Sequence, residues 1–225
     1  MKKILSLSIA LAVAFVAQKS SATLIAGWDF ANLLASPNTP ATISAAVGAA
    51  TIDASAFVPT GTNPERTAFG GSTLNAFPGG DLTAGMALSL VNSNANGKAL
   101  IFSFSMLGYQ DLVVSFATRG TSTGFNTHDW SWSTDGISFT PLAGNTAVTA
   151  TAFEIKSIDF SLASGLANAT SAYLKLTVSG ATSTSGNNRL DNIQFNATAV
   201  PEPTVMALIG GFGLMGLFMA SRRRI

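Results

Sequence analysis

The feature that most constrains the fold of this chain is a period of two in its apolar residues, which is most regular in residues 98–106. One side of that segment carries Leu100, Phe102, Phe104 and Met106. Successive side chains of a β-strand point to opposite faces, so this spacing predicts a strand with one face in a core. Residues 172–178 alternate in the same way and predict another strand with one wet face. Its apolar side is Leu174, Leu176 and Val178, and its other side is Tyr173, Lys175 and Thr177.

The pairing of some strands can be predicted from the turns between them. Residues 111–118 follow residues 98–106 after a short turn at residues 107–110, so we expect the two segments to form a hairpin. Phe153 and Ile155 share one phase of residues 153–160 and the remaining apolar residues share the other, which requires a bulge if both sets are buried. Alanine-rich stretches are interrupted by Gly and Ser, which indicates at most short helices.

About ten short strands separated by turn residues predict an all-β fold, a two-sheet antiparallel β-sandwich of jelly-roll type, in preference to a parallel α/β sheet. The chain has no cysteine, so a large core has to stabilise this domain without disulfides. Residues 23–199 contain six basic and ten acidic residues, a net charge of −4. This charge argues against nucleic acid as a partner.

The amino terminus has the pattern of a secretory signal peptide, residues 1–22. Lys2 and Lys3 precede an uncharged apolar run at residues 4–17, which is too short to span a membrane. Small residues at Ser20 and Ala22 fit the site that signal peptidase cleaves, so we predict cleavage after Ala22. An uncleaved amino-terminal anchor is the alternative, and the short apolar run and the small residues argue against it.

The carboxyl terminus, residues 200–225, combines three features in a fixed order. Val200, Pro201, Glu202 and Pro203 come first, an uncharged apolar segment of sixteen residues follows at 205–220, and Arg222, Arg223 and Arg224 end it. Sixteen helical residues reach roughly 24 Å, enough to span a bilayer barely. Arginines after such a helix stay in the cytoplasm and act as a stop-transfer signal, which leaves residues 23–199 outside.

This tail resembles the PEP-CTERM sorting signal of exopolysaccharide-producing Gram-negative bacteria. The resemblance implies processing by an exosortase near Pro201–Pro203, transient anchoring in the inner membrane, and delivery to the cell surface or extracellular matrix, where the product could contact exopolysaccharide. The alternative is a plain tail anchor in which the prolines form only a rigid linker.

A second hairpin is predicted at residues 130–139, where an Asp-Gly pair separates two short strands. Trp130 and Trp132 share one face of the first strand. They could form a ligand-binding platform on which sugar rings stack, but core tryptophans are the commoner arrangement and the interpretation that we favour. If the domain is a carbohydrate-binding module, one of Trp28, Tyr109, Trp130 and Trp132 should stand exposed on a sheet face.

Two aspartates are candidate metal ligands. The segments around Asp29 and Asp191 are similar to the first and last strands of carbohydrate-binding jelly rolls, and that resemblance implies a structural calcium. Asp191 shares a face with Ile193 and Phe195, and an inward carboxylate needs a cation or hydrogen bonds. The alternative, which we favour, is that Asp191 pairs with Arg189 or caps a loop while Asp29 faces solvent.

An enzymatic function finds little support, and no catalytic residues are assigned. The single histidine, His128, lies in a polar segment without a nucleophile motif or metal-ligand spacing, and we expect it at the surface. A glycan hydrolase or lyase would need two carboxylates across a cleft. The candidates are Asp129, Asp135, Glu154 and Asp159. The sequence thus favours a non-catalytic exported surface or matrix protein, with a carbohydrate-binding module as the alternative.

Overall fold

The computed structural model describes residues 21–147 and 151–201, and their fold is an antiparallel β-sandwich. The strands are β1 Ala22–Trp28, β2 Thr42–Ser44, β3 Thr51–Asp53, β4 Arg66–Gly70, β5 Met86–Val91, β6 Ala99–Phe104, β7 Tyr109–Gly120, β8 Thr127–Ser133, β9 Thr140–Ala147, β10 Glu154–Asp159, β11 Ala172–Ser179 and β12 Asn187–Ala199. Helical structure in these ranges is limited to two 3₁₀ turns, Ser93–Ala95 and Ser164–Leu166. The prediction of an all-β fold with short helices only is confirmed.

The strands form two sheets. Sheet A has the order β10-β7-β12-β5-β4, and β1 pairs with the second half of the long strand β12. Sheet B has the order β2-β3-β6-β11-β8-β9. Every strand pair is antiparallel. The two-sheet sandwich predicted from the alternation is therefore present.

The core lies between the sheets and is rich in aromatic side chains. Phe102 of β6 contacts Trp28 of β1 and Phe195 of β12, with ring centroids 5.7 and 5.5 Å apart. Phe102 also stacks on Trp130 of β8 at 5.7 Å. Edge-to-face and stacked rings add to the stabilisation that burial itself provides. This core explains how a domain without cysteine is held together.

The alternation in β6 and β11 has the predicted orientation, but the predicted hairpin partner of β6 is wrong. Leu100 and Phe102 are fully buried, and β11 alternates buried and half-buried along its whole length. However, β6 pairs with β3 and β11 in sheet B, whereas β7 pairs with β10 and β12 in sheet A. The segment between β6 and β7 crosses from one sheet to the other.

The bulge considered for residues 153–160 is absent, because its premise fails. Strand β10 pairs with β7 in unbroken register. Ile158 and Phe160 are buried, whereas Ile155 is 52% exposed on the outer face of sheet A. Only one of the two apolar sets is therefore in the core, and a regular strand without a bulge accommodates the sequence.

The two sorting segments lie almost wholly outside the described residues. The signal peptide is represented by Ser21 and Ala22 only, and the tail by Val200 and Pro201. The apolar segment at 205–220 and the arginines after it fall outside. Within residues 21–147 and 151–201, no helix has the length and apolarity that crossing a bilayer requires.

Candidate functional site

The tryptophans do not form a surface platform. Trp28 and Trp130 are 1% and 2% exposed. Trp132 is half-buried, and its ring lies against Gly165 so closely that a Cβ there would stand 2.7 Å from it. Tyr109 is likewise half-buried and packed against the core. Trp130 is part of the core, and Trp132 is half-buried and packed against it, which favours the interpretation of both as core residues over a stacking platform.

A groove on the outer face of sheet B brings one aromatic ring together with several hydroxyl side chains. It crosses the ends of β3, β6 and β11 and has a volume of about 340 Å³. We call it the Tyr173 groove. Its lining is Ala49, Ala50, Thr51, Ser103, Phe104, Ser105, Ser171 and Tyr173. Ligand pockets in proteins usually measure about 300–1,000 Å³, so the groove lies within that range.

Strand register places the hydroxyls in a row beside the tyrosine. Thr51 lies opposite Ser103, Ser103 opposite Tyr173, and Tyr173 opposite Ser133. Because facing residues of neighbouring strands point to the same side of a sheet, these four side chains cross its outer face in one line. The Tyr173 ring is half-buried, so it is positioned by its neighbours while part of it remains accessible.

The β8–β9 connection supports the other side of the tyrosine. A Cβ on Gly136 would stand 3.3 Å from the Tyr173 ring, so the turn packs against that ring. Asp135 shapes this turn, since its Oδ1 accepts hydrogen bonds from the backbone N–H groups of Ile137 and Ser138 at 2.8 Å. The hydrogen bond from the Ser133 hydroxyl, and then these two backbone bonds, hold the pKa of Asp135 well below its usual value.

A second aromatic contact lies on the same face, next to the Tyr173 groove. The Nζ atom of Lys175 stands 4.4 Å above the centroid of the Phe139 ring, a cation–π contact. Lys175 lies opposite Ile101 of β6 and Ser131 of β8. Strands β8 and β9 form the predicted antiparallel hairpin around Asp135 and Gly136, but the second strand begins at Thr140 rather than within residues 137–139. The connection between them brings Phe139 to this face.

Asp191 is buried on the outer face of sheet A beneath the β4–β5 loop. The prediction that it shares a face with Ile193 and Phe195 is wrong, because β12 shifts register between Asp191 and Gln194. Its Oδ2 accepts a hydrogen bond from the Ser72 N–H at 2.7 Å, and its Oδ1 accepts one from the Asn192 N–H at 2.9 Å. Burial and, to a smaller extent, the charge of Asp29 raise the pKa of Asp191 to about 7. The ion pair with Arg189 is not formed, because Arg189 donates to the Gly70 carbonyl instead.

Asp29 follows β1 and is half-buried, so it does not simply face solvent. It accepts hydrogen bonds from the backbone N–H groups of Ala31 and Asp81 and lines a cavity of about 250 Å³ with Trp28 and Ile43. In the part of the chain that the structure describes, no cluster of three His, Cys, Asp or Glu side chains could hold a metal.

The candidate catalytic groups occupy separate places. Glu154 forms an ion pair with Lys156 at 2.9 Å, and Asp159 caps its own loop by accepting from the Ser161 N–H. Neither of the two cavities described above is lined by Asp129, Asp135, Glu154 or Asp159.

The polar neighbours of His128 predicted a surface position, and that prediction is wrong. His128 is fully buried between the sheets. Its Nε2 lies 3.3 Å from the Asn188 amide of β12. Burial and, to a lesser degree, the charge of Lys156 lower the pKa of His128 to about 4. The histidine is therefore neutral at pH 7 and joins the two sheets.

The ends of the described domain lie side by side. Ala22 is exposed and pairs with Thr198 of β12, while the Val200 N–H donates to the Gly108 carbonyl at 2.9 Å. Pro201 is exposed. Cleavage after Ala22 would remove one residue pair from β1 and leave the rest of its pairing with β12.

Tyr173 was the residue that sequence reasoning passed over. Tyr173 lies on the face of β11 that does not carry Leu174 and Leu176, so the alternation predicted it on the solvent-facing side. An aromatic side chain on such a face could have indicated a binding site. Trp130 and Trp132 attracted attention through their size, although the alternation of β8 puts them on the core face.

Neither a family model nor a curated protein matches the sequence. Among solved structures, the fold is similar to the CBM22-1 xylan-binding domain of Paenibacillus barcinonensis Xyn10C, at 9% identity and a TM-score of 0.44 over 81% of this chain and 99% of that one. It is also similar to the K1 cleaved adhesin domain of Lys-gingipain from Porphyromonas gingivalis W83, at 11% identity and a TM-score of 0.45 over 77% and 98%. TmCBM61, solved with β-1,4-galactotriose, matches at 10% identity and a TM-score of 0.39 over 74% and 92%.

Proposed function

We propose that the chain is an exported, non-catalytic polysaccharide-binding protein with a jelly-roll domain, and that it binds sugar in the Tyr173 groove. The observation that carries the proposal is the half-buried Tyr173 ring within a row of Thr and Ser hydroxyls on one sheet face. Sugars present both an apolar ring face and many hydroxyl groups. An aromatic ring can stack on the first, and side-chain hydroxyls can donate to and accept from the second.

Binding should depend on the Tyr173 ring more than on the fold around it. Tyr173→Ala is expected to weaken polysaccharide binding about tenfold, since an aromatic contact is worth roughly 0.5–1.5 kcal/mol beyond its area and 1.4 kcal/mol is a factor of ten. Affinity electrophoresis against a panel of neutral and acidic polysaccharides identifies the ligand, and calorimetry measures its affinity.

Two matched variants control this experiment. Tyr173→Phe keeps the ring and should keep most of the affinity, whereas Thr177→Ala changes the same face of β11 away from the groove and should leave affinity unchanged. If Tyr173→Ala binds every polysaccharide as the unaltered protein does, the Tyr173 groove is not the binding site.

We further propose that signal peptidase and an exosortase process the two ends, so that the domain passes through a transient membrane-anchored state to the cell surface or matrix. The order of Pro201-Glu202-Pro203, an apolar segment and three arginines supports this proposal. Strand β1 begins at the exposed residue Ala22 and pairs with the end of β12, so cleavage after Ala22 would leave the pairing from Thr23 onward in place. Mass spectrometry of the exported product tests it, and an intact carboxyl terminus through Ile225 would contradict exosortase processing.

A structural calcium ion is proposed at Asp191, with Asp29 nearby. The proposal rests on Asp191 itself, a fully buried carboxylate, and on Asp29, whose charge acts on it. Ca²⁺ binds carboxylate oxygens at about 2.3–2.6 Å. The ion would compensate the charge of the buried Asp191 and tie the β4–β5 loop to β12.

Calcium should raise the melting temperature of the protein, because a ligand that binds only the folded state stabilises it. The Asp191→Asn variant should show no such shift, because it loses the charged ligand. An equal calcium-dependent shift in Asp191→Asn would sink the assignment, and Asp159→Asn serves as the control for removal of one acidic charge elsewhere.

A further inference from the structure

Two arginines face each other on the outer face of sheet A, on the opposite side of the sandwich from the Tyr173 groove. Arg119 of β7 and Arg189 of β12 are direct register partners. Side chains at such positions stand about 5 Å apart at Cβ, and like charges there destabilise a sheet. We call these two residues the arginine pair. Its repulsion needs a compensating interaction.

Aromatic rings hold the two guanidinium groups in place. The Arg189 Cζ atom lies 5.0 Å from the centroid of the Phe69 ring, and its Nη1 donates to the Gly70 carbonyl at 2.9 Å. The Arg119 Cζ atom lies 5.8 Å from the centroid of the Phe153 ring. Both arginines are half-buried, and the Nε of Arg189 is a buried donor without a hydrogen-bond partner. The pair therefore has ordered cationic groups with unused hydrogen-bonding capacity.

The other cations of the domain have compensating partners or lie elsewhere. Lys98 and Lys156 form ion pairs with Glu65 and Glu154. Buried Arg66 donates to the carbonyls of Thr39, Ala54 and Phe57. Among the residues that the structure describes, no carboxylate lies within ion-pair distance of the arginine pair. The nearby Asp191 is occupied by the N–H groups of Ser72 and Asn192.

The arginine pair is unusual in a domain with so few basic residues. Residues 23–199 carry only six basic side chains and a net charge of −4, yet two of the six stand side by side in the centre of a sheet. An anion between them would remove their repulsion, and planar guanidinium groups bind the two oxygens of a carboxylate in a bidentate manner. The flanking Phe69 and Phe153 rings offer apolar edges on either side of that anion.

We propose that the arginine pair binds the carboxylate groups of an acidic polysaccharide, those of its uronic acid residues, at a second site distinct from the Tyr173 groove. The choice of a polysaccharide follows from the proposed function, whereas the choice of an oxyanion follows from the arginine pair itself. A polysaccharide chain could bind to either face of the sandwich, and only binding to the sheet A face would require uronic acid units in the polysaccharide.

The test compares polygalacturonate with the same polymer in its methyl-esterified, uncharged form, by calorimetry on the exported protein. Arg119→Gln should weaken polygalacturonate binding at least tenfold and leave binding of the ester unchanged. Lys175→Gln removes the same charge from the other sheet and should leave the affinity for polygalacturonate unchanged. Polygalacturonate binding by the unaltered protein should also weaken with added salt, because ions screen charged contacts.

Stability separates a binding role from a structural one. Without polymer, Arg119→Gln should melt at the same temperature as the unaltered protein or higher, since it removes a like-charge contact. Arg189→Gln serves as a second variant on the opposite strand, with the same expected loss of binding. Polygalacturonate should raise the melting temperature of the unaltered protein and of Lys175→Gln but not of Arg119→Gln.

The outcomes distinguish this proposal from the Tyr173 groove. Tyr173→Ala should weaken binding of the ester and leave polygalacturonate binding at the arginine pair largely unchanged, so the polymer whose binding is lost shows which site a variant has removed. Equal binding of polygalacturonate by Arg119→Gln, Arg189→Gln and the unaltered protein would overturn the arginine site, and so would equal losses in Lys175→Gln. Preference for dextran sulfate over polygalacturonate would overturn the assignment to uronic acid.

Discussion

His128 is the residue whose burial has the clearest consequence for stability. Its pKa in the folded protein is about 4, whereas the ordinary value is 6.5, so the unfolded chain binds a proton at a higher pH than the folded chain. The resulting stabilisation is complete above pH 6.5 and is lost as the pH falls towards 4. A shift of this size corresponds to a loss on the order of 3 kcal/mol.

We therefore predict that His128→Gln unfolds with a flatter pH dependence between 6.5 and 4 than the unaltered protein. Denaturant unfolding at several pH values measures the free energy of unfolding for both chains. Other titrating groups, Asp191 among them, are present in both and cancel in the difference. Parallel curves for the two proteins would show that His128 does not titrate in this way.

For single residues, the strand alternation predicted the positions of His128 and Tyr173 better than the polarity of their neighbours did. His128 is two residues from Trp130, so the alternation of β8 already placed it on the core face despite the polar residues around it. Tyr173 was visible on a wet face. The convergence of Asp191, Gly71 and Ala84 was not visible, because these residues are brought together by a loop folded over the sheet.

At the scale of elements, the alternation specified strands and their buried faces but not their partners. Strand β6 and strand β7 each had the expected orientation, and only their pairing was mispredicted. A short connection fits either a hairpin or a crossing between sheets, and the choice depends on long-range partners such as β11 and β12. The β8–β9 hairpin was predictable because Asp135 and Gly136 determine its turn locally.

A substitution at Gly108, in the segment between β6 and β7, tests how much the backbone conformation of that segment contributes to the free energy of unfolding. Its φ is +81°, and a Cβ added there would meet nothing within 4 Å. Gly108→Ala should therefore lower the free energy of unfolding by about 1–2 kcal/mol through backbone strain alone. Gly70→Ala is the matched control, because its surroundings are equally open and its φ is not positive. Equal effects of the two substitutions in denaturant unfolding would contradict this explanation.

At the scale of the whole molecule, a chain without cysteine has no disulfide to stabilise it, so the core has to do so. The aromatic cluster supplies much of that core and joins the sheets, since Phe102 and Trp130 come from sheet B and Trp28, Phe116 and Phe195 come from sheet A. The sequence showed that these residues were apolar and in phase. It could not show that strands distant along the chain would place their rings in mutual contact.

Phe102 is at the centre of this cluster, so its truncation should weaken the whole domain. It is fully buried and contacts three aromatic rings from three other strands. Phe102→Ala should lower the free energy of unfolding by about 3–5 kcal/mol, because lost burial and an unfilled cavity add together. Leu162→Ala, at a residue that is 93% exposed, should change it by less than about 0.5 kcal/mol. If calorimetric melting gave similar shifts for both variants, the aromatic cluster would not be what joins the two sheets.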